Sequence, residues 1–482
     1  MLRSQQNAIS GLAWSFVDSF FKIGIEFVIG ILLARLLSPK EFGLIGTTVV
    51  FITLSQAFMD GGFSQSLIRK KDCTQHDYST VFYFNLGVGA IFYFLLFLLA
   101  RPISLFLKEP GLIDVIRAVS VVLVINSFSI IQKVILAKRI DFKLQTKISI
   151  ISSVVSGSIA IVMAYAGYGI WSLVWKTVIM YFLTTLLLWM RNYWFPERVF
   201  SFCALKEHFK FGYKLLIAST IDSLYQNIYY LIIGKFFSVA EVGYYSRAEQ
   251  FSSLLSVNMT NIIHRVSYPA FSQMQDDLQR LKRNYKKLIR CTMFISFTAM
   301  IGMAAIAKPL VIVLIGEKWA PSVIYLQLLC FSAMFYPLHA LNLDILNIRG
   351  RPDLFLRLEV VKKILLIPII LITVFGGVKA MLTGLIIVSF GIYFLNSYWS
   401  GEMIKYPAKE QMADIFPSFL LAVCMGILVF LSGHFLNLKP LPMLIAQILI
   451  GTAIVLRISE SFKLEAYSDI KEVIVQKTIF LK

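Results

Sequence analysis

The sequence predicts an all-α fold that crosses a membrane many times and is built as two copies of one helical bundle. Three observations carry this expectation. Of 482 residues, 58% are apolar and 15% charged, which leaves too little polar surface to cover a soluble globule. Apolar windows of about 20 residues recur along the chain, each long enough to cross the hydrocarbon core as a helix. A motif around Ser38 returns 200 residues later around Ser238, and internal repeats of this kind mark many transporters.

The first span, within residues 11–43, carries Asp18, Lys22 and Glu26. Side chains four apart on a helix drift by only about 40° per step, so the three charges share one face. A charge at the bilayer centre costs about 3 kcal/mol, so this face is expected to pair within itself or to line a watery cavity. The span closes with Leu36-Leu37-Ser38-Pro39-Lys40-Glu41-Phe42-Gly43. Gly234-Lys235-Phe236-Phe237-Ser238-Val239-Ala240-Glu241-Val242-Gly243 repeats that order and sets Lys22 beside Asp222 and Glu26 beside Gln226. Two further matches join Arg101-Pro102 to Lys308-Pro309, and Lys138-Arg139-x-Asp141 to Arg349-x-Arg351-x-Asp353.

Apolar windows broken by Pro, Gly or charge predict about fourteen spans. They fall at 10–34, 42–66, 79–100, 113–137, 146–166, 169–190, 212–236, 246–267, 291–315, 322–347, 360–377, 380–400, 415–434 and 440–458. The repeat then divides the chain into an N-terminal lobe of six spans (1–200), a C-terminal lobe of six (201–405), and an additional helix pair with a cytoplasmic tail (406–482).

Basic residues concentrate in alternate loops. One set holds Arg69, Lys70 and Lys71; Lys138, Arg139 and Lys143; Arg191 and Arg198; and a dense group from Arg280 to Arg290. The positive-inside rule puts that set, and both termini, in the cytoplasm. The net charge of +19 therefore faces lipid headgroups rather than nucleic acid. Phe271, Met274, Leu278, Leu281, Tyr285 and Leu288 recur at steps of three and four among these bases. That pattern predicts an amphipathic helix lying along the inner leaflet. The five cysteines have no metal or redox spacing.

No phosphate-binding Gly-rich loop, His-Glu-x-x-His or Asp-x-Asp motif occurs, so no enzyme and no cofactor is implied. The functional signal lies in polar residues inside spans. Gln56 and Asp60 are four apart; Asn126, Ser129 and Lys133 share a face; Lys176 interrupts the sixth span. The seventh carries Asp222, Gln226, Tyr229 and Tyr230, the eighth Arg247, Asn258, Asn261 and Arg265, and the tenth His339, Asn342 and Asp344. Lys22, Asp60, Lys133, Lys176, Asp222, Gln226, Arg247 and Asn258 are the expected cavity residues. Plainer roles exist for several: Asp60 and Arg265 at span ends, the first-span stripe as a packing ladder, the tyrosines as interface anchors.

Leu36 to Gly43, Asp60-Gly61-Gly62-Phe63 with Leu67-Ile68-Arg69-Lys70-Lys71-Asp72, Gly243-Tyr244-Tyr245-Ser246-Arg247-Ala248, Tyr268-Pro269-Ala270-Phe271 and Gly350-Arg351-Pro352-Asp353 resemble the polysaccharide transporters of the multidrug/oligosaccharidyl-lipid/polysaccharide superfamily. The likeness covers nearly the whole chain and is greatest to the Wzx-like branch of colanic and teichuronic acid exporters. It implies a flippase of the bacterial inner membrane that moves undecaprenyl-diphosphate-linked oligosaccharide outward by alternating access, for surface polysaccharide or lipopolysaccharide assembly. Its partners would be the lipid-linked oligosaccharide, membrane lipids, and a polysaccharide polymerase with export machinery. Arg247 matches the family's Tyr-Ser-Arg motif. A proton or sodium ion at Asp18, Glu26 or Asp222 would bias the swing. The alternatives are a cation-coupled multidrug exporter of the same superfamily and, from another class, a membrane polysaccharide polymerase or ligase.

Overall fold

The computed structural model describes residues 23–436 and 438–480, so Asp18 and Lys22 lie outside the described residues. Every element among the described residues is helical. Residues 23–36 form α1. It is followed by α2 (Pro39–Asp60), α3 (Phe63–Arg69), α4 (Gln75–Leu107), α5 (Leu112–Lys138), α6 (Phe142–Tyr165), α7 (Ile170–Asn192), α8 (Phe202–Phe236) and α9 (Val239–Ser272). Next come α10 (Leu278–Ala305), α11 (Ala307–Ile315), α12 (Ser322–Ala333), α13 (Tyr336–Ile348), α14 (Pro352–Leu365), α15 (Ile367–Ile404), α16 (Ala408–Phe435), α17 (Pro440–Ser461) and α18 (Glu465–Phe480).

The all-α membrane class stands, and the count of spans differs from the sequence expectation. Among the described residues, 10 stretches are long and apolar enough to cross a membrane, against about fourteen expected. One of the 10, Pro352–Ile404, is interrupted at Gly377, where φ is 83°, and so holds two expected spans. Helices α8 and α9, expected spans seven and eight, are not among the 10 although they run 35 and 34 residues. Asp222, Gln226, Asn227 and four tyrosines dilute the apolar character of α8.

The helix ends follow from local chemistry. Ser38 caps α2 in a capping box: its N–H donates to Glu41 at 2.6 Å, while the Glu41 N–H donates to the Ser38 hydroxyl at 3.4 Å. Pro39, at the first helical position, loses no hydrogen bond there. Thr74 and Asp77 cap α4 in the same way. In the repeated motif the Glu241 N–H donates to Ser238 at 3.2 Å.

By contacts the chain forms two compact units, Met1–Gly243 and Tyr244–Lys482. The division falls inside α9, and α8 is fastened to the first unit. A Cβ on Gly212 of α8 would stand 2.5 Å from the Gly61 carbonyl, and one on Gly62 would stand 2.8 Å from the Gly212 carbonyl. Gly61 and Gly62 also take φ values of 49° and 73°, which end α2 and turn the chain into α3. Lys70 adds an ion pair to Glu207 at 3.0 Å, and Ser66 a hydrogen bond to His208 at 2.8 Å.

The duplicated motif also forms a reciprocal contact inside the first unit. A Cβ on Gly43 would fall 1.7 Å from the Val239 carbonyl oxygen, and one on Gly243 would fall 1.9 Å from that of Pro39. Equivalent residues of the two copies thus meet backbone to backbone, which is what glycine permits. A second trace of the duplication lies in the turns after α5 and α13. The Arg139 and Asp141 N–H groups donate to Ile135 and Leu136, and 210 residues on those of Arg349 and Arg351 donate to Ile345 and Leu346. Ile140 and Gly350 hold the left-handed position of these turns, with φ 57° and 72°.

The first unit is packed around Met59, Ala100, Leu112, Ile116, Val119 and Leu123, all buried, from α2, α4 and α5. At one end an aromatic cluster of Phe63, Phe82, Trp189 and Trp194 closes it.

In the second unit the expected surface helix is corrected. Residues 278–288 are the first half of α10, which continues unbroken to Ala305, and Leu281 and Tyr285 are fully buried in the protein. Three lysines of this stretch meet carboxylates. Lys282 and Lys286 pair with Glu410 at 2.9 and 3.3 Å, Lys286 with Asp414 at 3.0 Å, and Lys287 with Asp469 at 3.1 Å. Arg290 pairs with Glu465 and Asp469 of α18.

Candidate functional site

A cavity with polar walls lies between α5, α6 and α7 of the first unit and measures about 270 Å³. Lys133 of α5 lines it, with Gln145, Ser149 and Ser153 of α6 and Tyr181 and Thr184 of α7. The Lys133 ammonium donates to Asn126 Oδ1 at 3.3 Å, which also accepts from Ser129 at 3.0 Å, so the polar stripe of α5 is one connected chain. Gln56 of α2 donates to the Tyr181 hydroxyl at 3.0 Å and ties a fourth helix to the cavity wall. Lys133 lies about 8 Å along the helix from the end of α5 at Lys138, at the end of the bundle that carries the basic loops. None of the residues lining this cavity is acidic.

The other expected site residues are placed as follows. Lys176 is half-buried on α7, one turn before Met180 of the cavity wall. Asp60 sits at the last position of α2 and accepts a short hydrogen bond from Ser64, which makes it part of the α2–α3 turn. Glu26 is half-buried on α1. Asp222 and Gln226 lie on one exposed face of α8, and Tyr229 is buried. In the second unit Arg247 is half-buried near the start of α9, and Asn258 donates back to its own helix at Leu254, 2.9 Å away. Gln145, Ser149 and Ser153 are outside the set that the sequence singles out. Their spacing of four on α6 was the available signal.

Two buried networks have structural roles. Asn342 is fully buried and uses its hydrogen-bonding capacity: it accepts from Tyr285 at 3.1 Å and Ser400 at 2.5 Å and donates to Leu338 and Gln411. Near the basic end of the first unit, Asp77 receives Thr74, Lys70 and His208. Burial works against the charge of Lys70, but its hydrogen bonds to Glu207 and Asp77 outweigh that and hold the ammonium above the ordinary lysine value.

With this geometry in place, comparison with known proteins decides the family. A family described as polysaccharide biosynthesis protein matches residues 32–324, more than half of the chain. The chain belongs to this polysaccharide biosynthesis protein family. Its relatives include the lipopolysaccharide biosynthesis protein WzxC of Escherichia coli strain K12, 27% identical over 405 residues, covering 82% of this chain and 80% of that protein. The teichuronic acid biosynthesis protein TuaB of Bacillus subtilis strain 168 is 23% identical, with 88% of each chain covered. The succinoglycan biosynthesis transport protein ExoT of Rhizobium meliloti strain 1021 is 24% identical, covering 67% of this chain and 65% of that one. Among solved structures, the lipid II flippase MurJ in an inward closed conformation is similar in fold, with a TM-score of 0.76, 14% identity, and 94% of this chain and 98% of that one covered. An inward-facing multidrug resistance transporter of the MATE family and MOP superfamily is similar with a TM-score of 0.61 and 14% identity, covering 80% of this chain and 96% of that one. This polysaccharide biosynthesis protein is therefore a multi-pass membrane protein of the MurJ- and MATE-like fold.

Proposed function

We propose that this chain is a flippase of the bacterial inner membrane that carries undecaprenyl-diphosphate-linked oligosaccharide to the outer leaflet by alternating access. The observation that carries the reading is the Lys133 cavity. A diphosphate needs a cation with free choice of hydrogen-bond direction, and an ammonium offers three donors. Sugar hydroxyls need neutral donors and acceptors, and Gln145, Ser149, Ser153, Tyr181 and Thr184 offer both. The cavity lies at the end assigned to the cytoplasm by the basic loops, where a lipid-linked sugar made inside the cell would enter. The names of WzxC, TuaB and ExoT support cargo of this kind. On this reading both termini are cytoplasmic, the lobes 1–200 and 201–405 are the two functional repeats, and Lys176 and Arg247 supply further positive charge as the cargo moves. A polysaccharide polymerase and export machinery would take the product.

A multidrug exporter handling cations would be expected to present carboxylates, and the lining of this cavity holds none. The test is translocation of fluorescent lipid-linked oligosaccharide in proteoliposomes. Lys133→Ala should lower the initial rate by about tenfold and Lys133→Arg should keep most of it, since a charge-assisted contact to phosphate is worth about 1.5 kcal/mol or more. An unchanged rate for Lys133→Ala at equal protein level would remove the cavity from the mechanism.

A further inference from the structure

We propose that His264 and Asp344 of the second unit form a proton-binding pair, and that its loading couples a proton gradient to the flippase cycle; the coupling rests on the function proposed above. His264 Nε2 of α9 lies 3.0 Å from Asp344 Oδ1 of α13. The aspartate side chain is 9% exposed and the histidine 49%. The other aspartate oxygen, Oδ2, is buried and has no hydrogen-bond partner. A buried carboxylate left half-satisfied is costly when charged, and a proton on it removes that cost.

The first unit supplies the contrast. Asp77 also meets a histidine, His208 at 3.3 Å, but its oxygens receive in addition Lys70 and the Thr74 N–H and hydroxyl. That carboxylate is fixed in its charged form by surrounding donors. Asp344 has no such shell. Of the three acids expected to couple an ion, Asp18 lies outside the described residues, Glu26 is half-buried and Asp222 exposed, so neither of the described two is buried as Asp344 is.

The groups around the pair leave the histidine as the proton route. On α9, Tyr268 stacks on the His264 ring at 5.4 Å, with Arg265 adjacent in sequence. On α10, Tyr285 spends its hydroxyl on Asn342. Along α13, Asn342 is filled and His339 contacts Ser389. On α14 and α15, Leu354, Leu358, Leu395 and Trp399 cluster with Leu343 and Leu346 on either side of Asp344 in α13, and Ser400 is bonded to Asn342. A proton taken from solvent at Nδ1 of the half-exposed imidazole makes it an imidazolium, and its Nε2 proton then passes to Asp344. The histidine ends neutral in its other tautomer and the aspartate ends as a carboxylic acid, with one proton gained in all.

Two readouts on the full-length protein in proteoliposomes test this. Infrared difference spectra between acid and alkaline buffer should show a protonated-carboxyl band that Asp344→Asn removes. His264→Gln, which keeps a neutral donor, should move the pH at which the band appears by about one unit. With undecaprenyl-diphosphate bearing one N-acetylglucosamine as probe, an imposed pH gradient should accelerate wild-type translocation several-fold and leave Asp344→Asn unaffected. A band that survives in Asp344→Asn, or a variant as gradient-sensitive as wild type, overturns the proposal. Should the band behave as expected while wild type moves no probe, the proton pair stands and the coupling to a flippase falls.

Discussion

At the scale of the residue, polar side chains separate by what already satisfies them. Asn342 and Asp77 are buried and filled, so they hold helices together. Lys133 reaches a cavity, and Asp344 keeps a vacant oxygen. Sequence periodicity placed Asn126, Ser129 and Lys133 on one face, and hydrogen bonds join all three. It did not reveal the α6 stripe, because serines read as neutral in an apolar window and only the opposite wall makes them a site. Nor does any periodicity pair His264 with Asp344, which meet across two helices distant in sequence. Steric limits also act at single residues. Gly43→Ala and Gly243→Ala each drive a methyl into a backbone carbonyl, so each should lower stability by about 2 kcal/mol, near the middle of the range for overpacking. Thermal unfolding in detergent would check this, and unchanged midpoints would mean that the contact of the two motif copies is loose.

At the scale of the element, α10 teaches where amphipathicity misleads. Its apolar stripe and basic flanks predicted a helix on the membrane surface. The structure satisfies the same pattern inside the protein, with the stripe buried and the bases matched by Glu410, Asp414 and Asp469. The sequence could not distinguish the two, because the acids that replace lipid phosphate lie more than a hundred residues away. α18 is held on α10 by Lys287 and Arg290. Reversing both as Lys287→Glu and Arg290→Glu should loosen it by about 1 kcal/mol, since partly exposed pairs are individually weak. Amide exchange across residues 465–472 should then run about fivefold faster. Adding Asp469→Lys should recover part of the protection, whereas equal exchange in all variants would assign the docking to apolar contacts alone.

At the scale of the whole molecule, hydropathy and duplication made the class legible: long apolar helices have few uses outside a lipid phase, and a motif that returns 200 residues on points to a duplicated bundle. The number of spans was less legible, since α8 and α9 carry too many polar residues to stand out by hydropathy. The copies have also drifted in charge. Lys22 falls on Asp222 at the repeat offset, and the turn of Arg139 matches that of Arg349 by backbone rather than by side-chain order.

The proposed function depends above all on the cargo being an anionic sugar lipid rather than a hydrophobic cation. The decisive experiment places a fluorescent undecaprenyl-diphosphate-linked oligosaccharide in one leaflet of proteoliposomes and, in parallel, a fluorescent organic cation outside them. The sugar lipid should appear in the opposite leaflet in a protein-dependent way, and the cation should show no protein-dependent movement. Movement of the cation, with the sugar lipid left where it was placed, would contradict the assignment.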